Sequence, residues 1–222
     1  MACHVRLLDE IDAPLRQRLL DGHREIQIPA GHQLIFQNDW GEEIYVVDRG
    51  ILKCSCVTAD GNEVVISLIG AGALIGEIAL LSPKPIRTVD VVSLIPTKLL
   101  KLRQAVLKHA IQDSPELLRA IAALQAQRLT ALGNRLLIMN EDATTRLLAT
   151  LLDLATLNGV DTNAENPIPQ LSQQEIALIS GLSRGTTSTL INKLRVNGTL
   201  SATEQGLKFA KLEPLKRRGL LA

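Results

Sequence analysis

The stretch Leu171–Leu194 reads LSQQEIALISGLSRGTTSTLINKL. Ser172 stands where a helix N-cap belongs, and Glu175, three residues on, completes a capping-box pattern. Ile176, Ala177 and Ile179 form an apolar face, and Ala177 is small enough to let a second helix approach closely. Gly181 follows where a tight turn between helices uses a positive φ. Ser183 caps the next helix, whose Leu190, Ile191 and Leu194 return to the core side. Its exposed start, Arg184-Gly185-Thr186-Thr187-Ser188-Thr189, is short and polar with a single arginine, the composition of a helix that lies in a DNA major groove. The bland alternative is an ordinary helical hairpin. Thr187 is a departure, since an apolar residue usually fills that position. Beyond Asn197-Gly198, the run TLSATEQGLKFAKL predicts a β-hairpin wing.

Charge is distributed to match. Across 222 residues the formal net charge is +1, yet residues 171–222 carry eight Lys/Arg against three Asp/Glu, leaving the body at −4. A basic C-terminal segment on a mildly acidic body points to nucleic acid at that end. No apolar run is long enough to span a membrane, and MACHVRLLDE lacks the apolar core of a signal peptide, so a cytoplasmic chain is expected. Cys3, Cys54 and Cys56 are expected to be free thiols, with Cys54 and Cys56 packing as small apolar residues on one strand face.

Upstream, PLRQRLLDG predicts a short helix ending near Gly22. The runs QLIFQ, EIYVVDRG, ILKCSCVTA, EVVISLIG and TKLLKL then predict short strands broken by turn residues. Asp60-Gly61 between two apolar runs predicts a hairpin. Ser114-Pro115-Glu116 opens a helix of about 25 residues, with leucines recurring every three or four positions to Met139. Such a stripe suits a two-helix seam with a second subunit; burial as an interior helix is the alternative. ATTRLLATLLDLATLNG predicts another helix closing at Asn158-Gly159, followed by a polar loop. The fold class is α+β: a jelly-roll-like β-roll over residues 1–112, a long helix over 113–140, and a winged helix-turn-helix over 141–222.

One stretch, ISLIGAGALIGEIALLSPKPIRTVDVVS from Ile66 to Ser93, sets Glu77 and Arg87 among apolar residues. Unpaired buried charges are costly, so something must satisfy both.

Taken together, the chain resembles the cyclic AMP receptor protein and fumarate–nitrate regulator superfamily of transcription factors, over nearly its whole length and in the same module order. That family's phosphate-binding cassette is Gly-Glu-aliphatic-small-Leu-Leu, a short spacer, then Arg-Ser/Thr. Here it reads Gly76-Glu77-Ile78-Ala79-Leu80-Leu81, then Arg87-Thr88. The resemblance implies that Glu77 accepts from a ribose 2′-hydroxyl, that Arg87 pairs with a cyclic phosphate, and that Thr88 and backbone N–H groups near Gly76 complete the cradle. A Glu77–Arg87 ion pair bracing an empty roll is the alternative. The resemblance further implies cyclic AMP or a similar anion as effector, a homodimer, RNA polymerase as a partner, and a pseudo-palindromic operator in double-stranded DNA. Arg184 would read base edges, with Gln174, Ser183 and Thr186 on phosphates.

Members that read a TGTGA-type half-site carry Arg-Glu at the helix start and a second Arg four residues after the Glu. Gly185 and Thr189 occupy those two places here, implying a different half-site. In cyclic-AMP-activated members an adjacent Thr and Ser on the long helix meet the adenine; alignment on Gln127-Arg128-Leu129 puts Leu132 and Gly133 there. Neither haem nor metal is expected: an iron–sulfur sensor needs about four cysteine ligands, and His4, His23, His32 and His109 share no spacing. No catalytic constellation is evident either. A rival reading is a nucleotide-binding module that regulates a protein partner without binding DNA.

Overall fold

The computed structural model describes residues 6–158, 164–204 and 206–221; Cys3, His4, Gly159 and residues 160–163 of the polar loop lie outside them. Helix α1 (Ala13–Leu20) is capped by Asp12, whose side chain accepts from Leu15 N at 2.8 Å. Eight strands follow: β1 (Arg24–Ile28), β2 (Gln33–Ile35), β3 (Ile44–Arg49), β4 (Leu52–Val57), β5 (Glu63–Ile69), β6 (Leu74–Ile75), β7 (Asp90–Ser93) and β8 (Thr97–Leu102). They form two antiparallel sheets, ordered β1-β8-β3-β6 and β2-β7-β4-β5. Their inner faces meet over Val47, Leu52, Ile69, Ile75, Val91 and Leu99, the sandwich that alternating strands produce. The β4–β5 hairpin turns at Asp60-Gly61 as expected, with Gly61 at φ +79°.

Between β6 and β7 sits α2 (Glu77–Leu81), a single short helix within a run whose apolar character masks it in sequence. The strand β1, REIQI, also escapes sequence reading, because it is largely exposed and shows little alternation. Helix α3 (Gln104–Asp113) is hidden in the sequence for a related reason: it has no side-chain cap and buries only Leu107 and Ala110.

Helix α4 runs Pro115–Met139, 25 residues, with Ser114 Oγ accepting from Leu117 N at 3.2 Å and Pro115 in the first turn. It carries two apolar faces. Leu117, Ala120, Ile121 and Leu124 are buried against α1, α3 and the roll. Leu118, Leu129 and Leu136 belong to a second line that remains 46%, 71% and 62% exposed. Leu124, one of the recurring leucines that suggest a seam to a partner, belongs instead to the chain's own core.

Helix α5 (Ala143–Leu157) is the hub of the C-terminal module. It packs through Leu147, Leu148, Leu151 and Leu154 on α6 (Gln173–Ser180) and α7 (Arg184–Val196). Strands β9 (Ile168–Pro169), β10 (Leu200–Thr203) and β11 (Gly206–Phe209) form the wing, and α8 (Glu213–Lys216) follows. Gly181 ends α6 at φ +64°. Thr187 is fully buried, and its hydroxyl donates to Ser183 O at 3.0 Å, which is how a polar side chain occupies an apolar position. The capping box is half formed. Ser172 Oγ accepts from Glu175 N at 3.1 Å, but the Glu175 carboxylate turns to Lys53 in the roll.

Candidate functional site

Two regions gather the residues singled out above. The first is a cavity of about 300 Å³ inside the roll, a size that suits a small ligand. Its walls come from β4, β5, β6, α2, the segment through Arg87–Val89, and α4, including Cys54, Ser67, Glu77, Arg87, Gln125 and Leu132.

Glu77 begins α2 and is 1% exposed; Arg87 is 5% exposed. They are not each other's partners. Glu77 Oε1 accepts from Gln125 Nε2 at 2.8 Å and from Arg128 Nη1 in a tight ion pair; Arg128 also donates to Leu74 O. Arg87 Nη2 donates to Glu43 O at 2.8 Å and lies 3.4 Å from Glu43 Oε2, while its Nη1 reaches Gly76 O at 3.4 Å. In place of a Glu77–Arg87 brace there are two separate pairs, one tied to the long helix and one to Glu43, just before β3. Glu43 is held below the usual carboxylate range, mainly by its backbone hydrogen bond, with Lys101 and Arg87 adding to it.

Gly76 makes this packing possible. Its φ is +93°, and a Cβ there would lie 2.3 Å from Glu43 O and 2.7 Å from Arg87 Nη1. Gly76→Ala is therefore expected to cost about 1–3 kcal/mol through backbone strain, with the clash against Glu43 O adding to it, seen as an earlier midpoint in denaturant unfolding. Of the other cassette residues, Ala79 is buried, Ile78 is exposed on α2, and Thr88 is exposed at the cavity rim. Cys54 is buried on the cavity wall, and burial pushes its thiol up to about 11. Cys56 points elsewhere, its Sγ donating to Thr88 O at 3.6 Å. Among the described residues no cluster of His, Cys, Asp or Glu could hold a metal ion.

On α4 the structure places Leu132 on the cavity wall, as the sequence alignment has it, but Gly133 does not line it. Gln125 and Arg128, the Glu77 partners, were missed. Both lie about fifty residues from Glu77 in the chain, so no local spacing marks them.

The second region is the exposed start of α7. Arg184, Gly185, Thr186 and Thr189 are all exposed there, with nothing within 4 Å of a Gly185 Cβ except Ser183 Oγ. Ser183 Oγ caps the helix, accepting from Thr186 N at 3.1 Å and sharing a 2.8 Å bond with the Thr186 hydroxyl. Gln174 is exposed in the first turn of α6. Lys193, Arg195 and Lys208 add positive charge on α7 and the wing.

Comparison with known proteins follows this division. The cyclic nucleotide-binding domain family matches residues 25–114, and the Crp-like helix-turn-helix domain family matches residues 145–218. The chain is 30% identical over 173 residues to the cyclic AMP receptor protein of Thermus thermophilus, covering 78% of this chain and 77% of that protein. It is 25% identical over 195 residues to the CRP-like cAMP-activated global transcriptional regulator of Mycobacterium tuberculosis, covering 87% of each. Among solved structures, the c-di-GMP responsive regulator CLP of Xanthomonas campestris superposes with a TM-score of 0.72 at 23% identity, over 90% of this chain and 100% of that one. FixK2 of Bradyrhizobium japonicum gives 0.75 at 18% identity, over 88% and 96%. These likenesses show a shared fold. Among the described residues no helix is long and apolar enough to cross a membrane.

Proposed function

We propose that this chain, which belongs to the cyclic AMP receptor protein and fumarate–nitrate regulator superfamily of transcription regulators, is a homodimer whose affinity for a pseudo-palindromic operator is set by an anionic effector of the cyclic nucleotide type. The observation that carries the reading is the cavity holding both Glu77 and Arg87 and closed by α4. A buried monoanion requires a cation with oriented donors. Arg87, already aimed by Gly76 and Glu43, keeps its remaining N–H donors for an equatorial phosphate oxygen, and Thr88 at the rim adds a hydroxyl. The bonds from Gln125 and Arg128 to Glu77 both end on Oε1, so Oε2 is the acceptor assigned to a ribose hydroxyl. Ile78 and Ala79 shape the cradle through α2 rather than by polar contact.

Supporting the dimer is a line along α4: Leu118, Ala122, Gln125, Leu129, Leu132, Leu136 and Met139 alternate by four and three residues, the spacing of a two-helix seam. Three of its members, Gln125, Leu129 and Leu132, also line the cavity. Effector and partner helix thus meet the same residues, which gives the effector a physical route to the dimer. Domain limits follow: roll to residue 112, seam helix 113–140, DNA module 141–222, acting in the cytoplasm with RNA polymerase as a further partner.

At the DNA, Arg184 is the base-reading residue, bidentate to a guanine, while Gln174, Ser183 and Thr186 hold phosphates. Gly185 cannot accept from a cytosine amino group and Thr189 cannot make a bidentate guanine contact. The half-site is therefore not TGTGA. Arg184→Ala is expected to lose about 1–3 kcal/mol of discrimination at one position of each half-site, with little change in affinity for unrelated duplex. Competition binding against single-base operator variants reads this. Full-affinity binding to a TGTGA palindrome would refute the assignment.

A further inference from the structure

Lys53 on β4 is 5% exposed, yet it is charged. Its Nζ lies 3.0 Å from Glu63 Oε1 on β5 and 2.7 Å from Glu175 Oε1 on α6. Burial alone would lower the ammonium's pKa; the bonds to Glu175 and Glu63 outweigh it and hold the group above its ordinary value. A second cation spans the same gap. Arg135 on α4 donates from Nε to Val65 O of β5 at 2.8 Å and from Nη2 to Ile179 O of α6 at 2.6 Å. Around these polar links, Ile51, Val65 and Leu94 of the roll share one apolar cluster with Leu147, Leu151 and Ile176 of the C-terminal module.

The opposite side of these strands is the cavity. Cys54 and Ser67, paired across β4 and β5, both line it. Successive side chains of a strand point to opposite faces. Lys53 therefore points away from the cavity toward α6, while its neighbour Cys54 points into it. Helix α4 repeats the arrangement one turn along: Leu132 lines the cavity and Arg135, three residues later, holds β5 and α6 together.

From this placement we infer that Lys53, with Glu175 and Glu63, and Arg135 form an interlock that fixes the helix-turn-helix on the roll and transmits occupancy of the cavity to the DNA-reading helix. The inference rests on the reading above that the cavity's ligand controls DNA affinity. These are positioning residues: none touches the effector or the bases. The exposed face of α7 is not covered by the roll, so the interlock sets the helix's placement and does not mask it.

The test uses full-length protein, a duplex selected on the wild type from a random pool, and cyclic AMP. Lys53→Met and Glu175→Gln are compared with Lys53→Arg. Net charge alone predicts that losing the lysine weakens DNA binding and losing the glutamate strengthens it. The interlock instead predicts that both variants shift nucleotide-free DNA affinity in the same direction, by at least fivefold. It also predicts that both bring the ratio of affinities with and without cyclic AMP toward one, at unchanged cyclic AMP affinity, and that Lys53→Arg restores the wild-type ratio. Shifts within twofold of the wild type, or in the opposite directions that charge dictates, would overturn it. Should cyclic AMP leave wild-type DNA binding unchanged, the effector reading fails, and the nucleotide-free shift still decides the interlock. If Lys53→Met does not fold, Glu175→Gln decides alone, with α6 still capped by Ser172: a fall of at least fivefold in nucleotide-free affinity, against the direction that charge dictates, supports the interlock, and a change within twofold or a rise counts against it.

Discussion

A protein carrying Leu118→Glu and Leu136→Glu is expected to sediment as a folded monomer and to lose operator binding by about a hundredfold or more. Both leucines lie on the exposed line of α4, outside the cavity and outside the chain's own core. Fully burying a leucine contributes about 1.5–3 kcal/mol, and two-fold symmetry counts each substitution twice. Four lost burials remove about 6–12 kcal/mol, which is most of the free energy of a micromolar to nanomolar dimer. Operator affinity follows, because the second half-site is then no longer bound at the high effective concentration that a linked partner provides. The same pair of changes should leave the melting transition cooperative. Leu124→Glu is the contrasting control: Leu124 is buried in the chain's own core, so this change should unfold the protein rather than dissociate it. A wild type that is itself monomeric at micromolar concentration would contradict the seam.

The second large effect is at Arg87. Replacing it by leucine removes the cation held by Glu43 and Gly76 at the proposed phosphate position, and with it the two or more charge-assisted hydrogen bonds proposed to the phosphate, each about 1.5–3 kcal/mol. Calorimetry should show cyclic AMP affinity falling by at least about a hundredfold. Arg87→Lys should recover part of this, since it keeps the charge but loses the fork. In the same experiment the wild type should discriminate weakly between cyclic AMP and cyclic GMP, within about tenfold. The α4 wall offers Leu132, which has no hydrogen-bonding group, where a base-reading hydroxyl would be needed. Tight, strongly adenine-selective binding would show that other groups read the base.

Much of this fold is written locally. The turn at Asp60-Gly61, the caps Ser114, Ser172 and Ser183, and the αL glycine at 181 each announce themselves within a few residues, and the structure places all of them as read. Partnerships across the chain are not written that way. Glu77 and Arg87 were legible as charges in need of satisfaction, but their actual partners, Arg128 and Glu43, come from elements 51 and 44 residues away. Lys53–Glu175 spans more than half the chain, and Glu175 looked like a completed capping box because the sequence shows only its helical neighbours. In helix α4 periodicity shows one apolar stripe, whereas the helix has two, and only packing assigns Leu124 to one and Leu136 to the other.

The most direct test of the account is selection of bound duplexes from a random pool, run with and without cyclic AMP. The expected result is enrichment of pseudo-palindromes whose half-sites lie about one helical turn apart, each containing a guanine that Arg184→Ala ceases to require, with enrichment dependent on the nucleotide. Recovery of no duplex above background in either arm would contradict it.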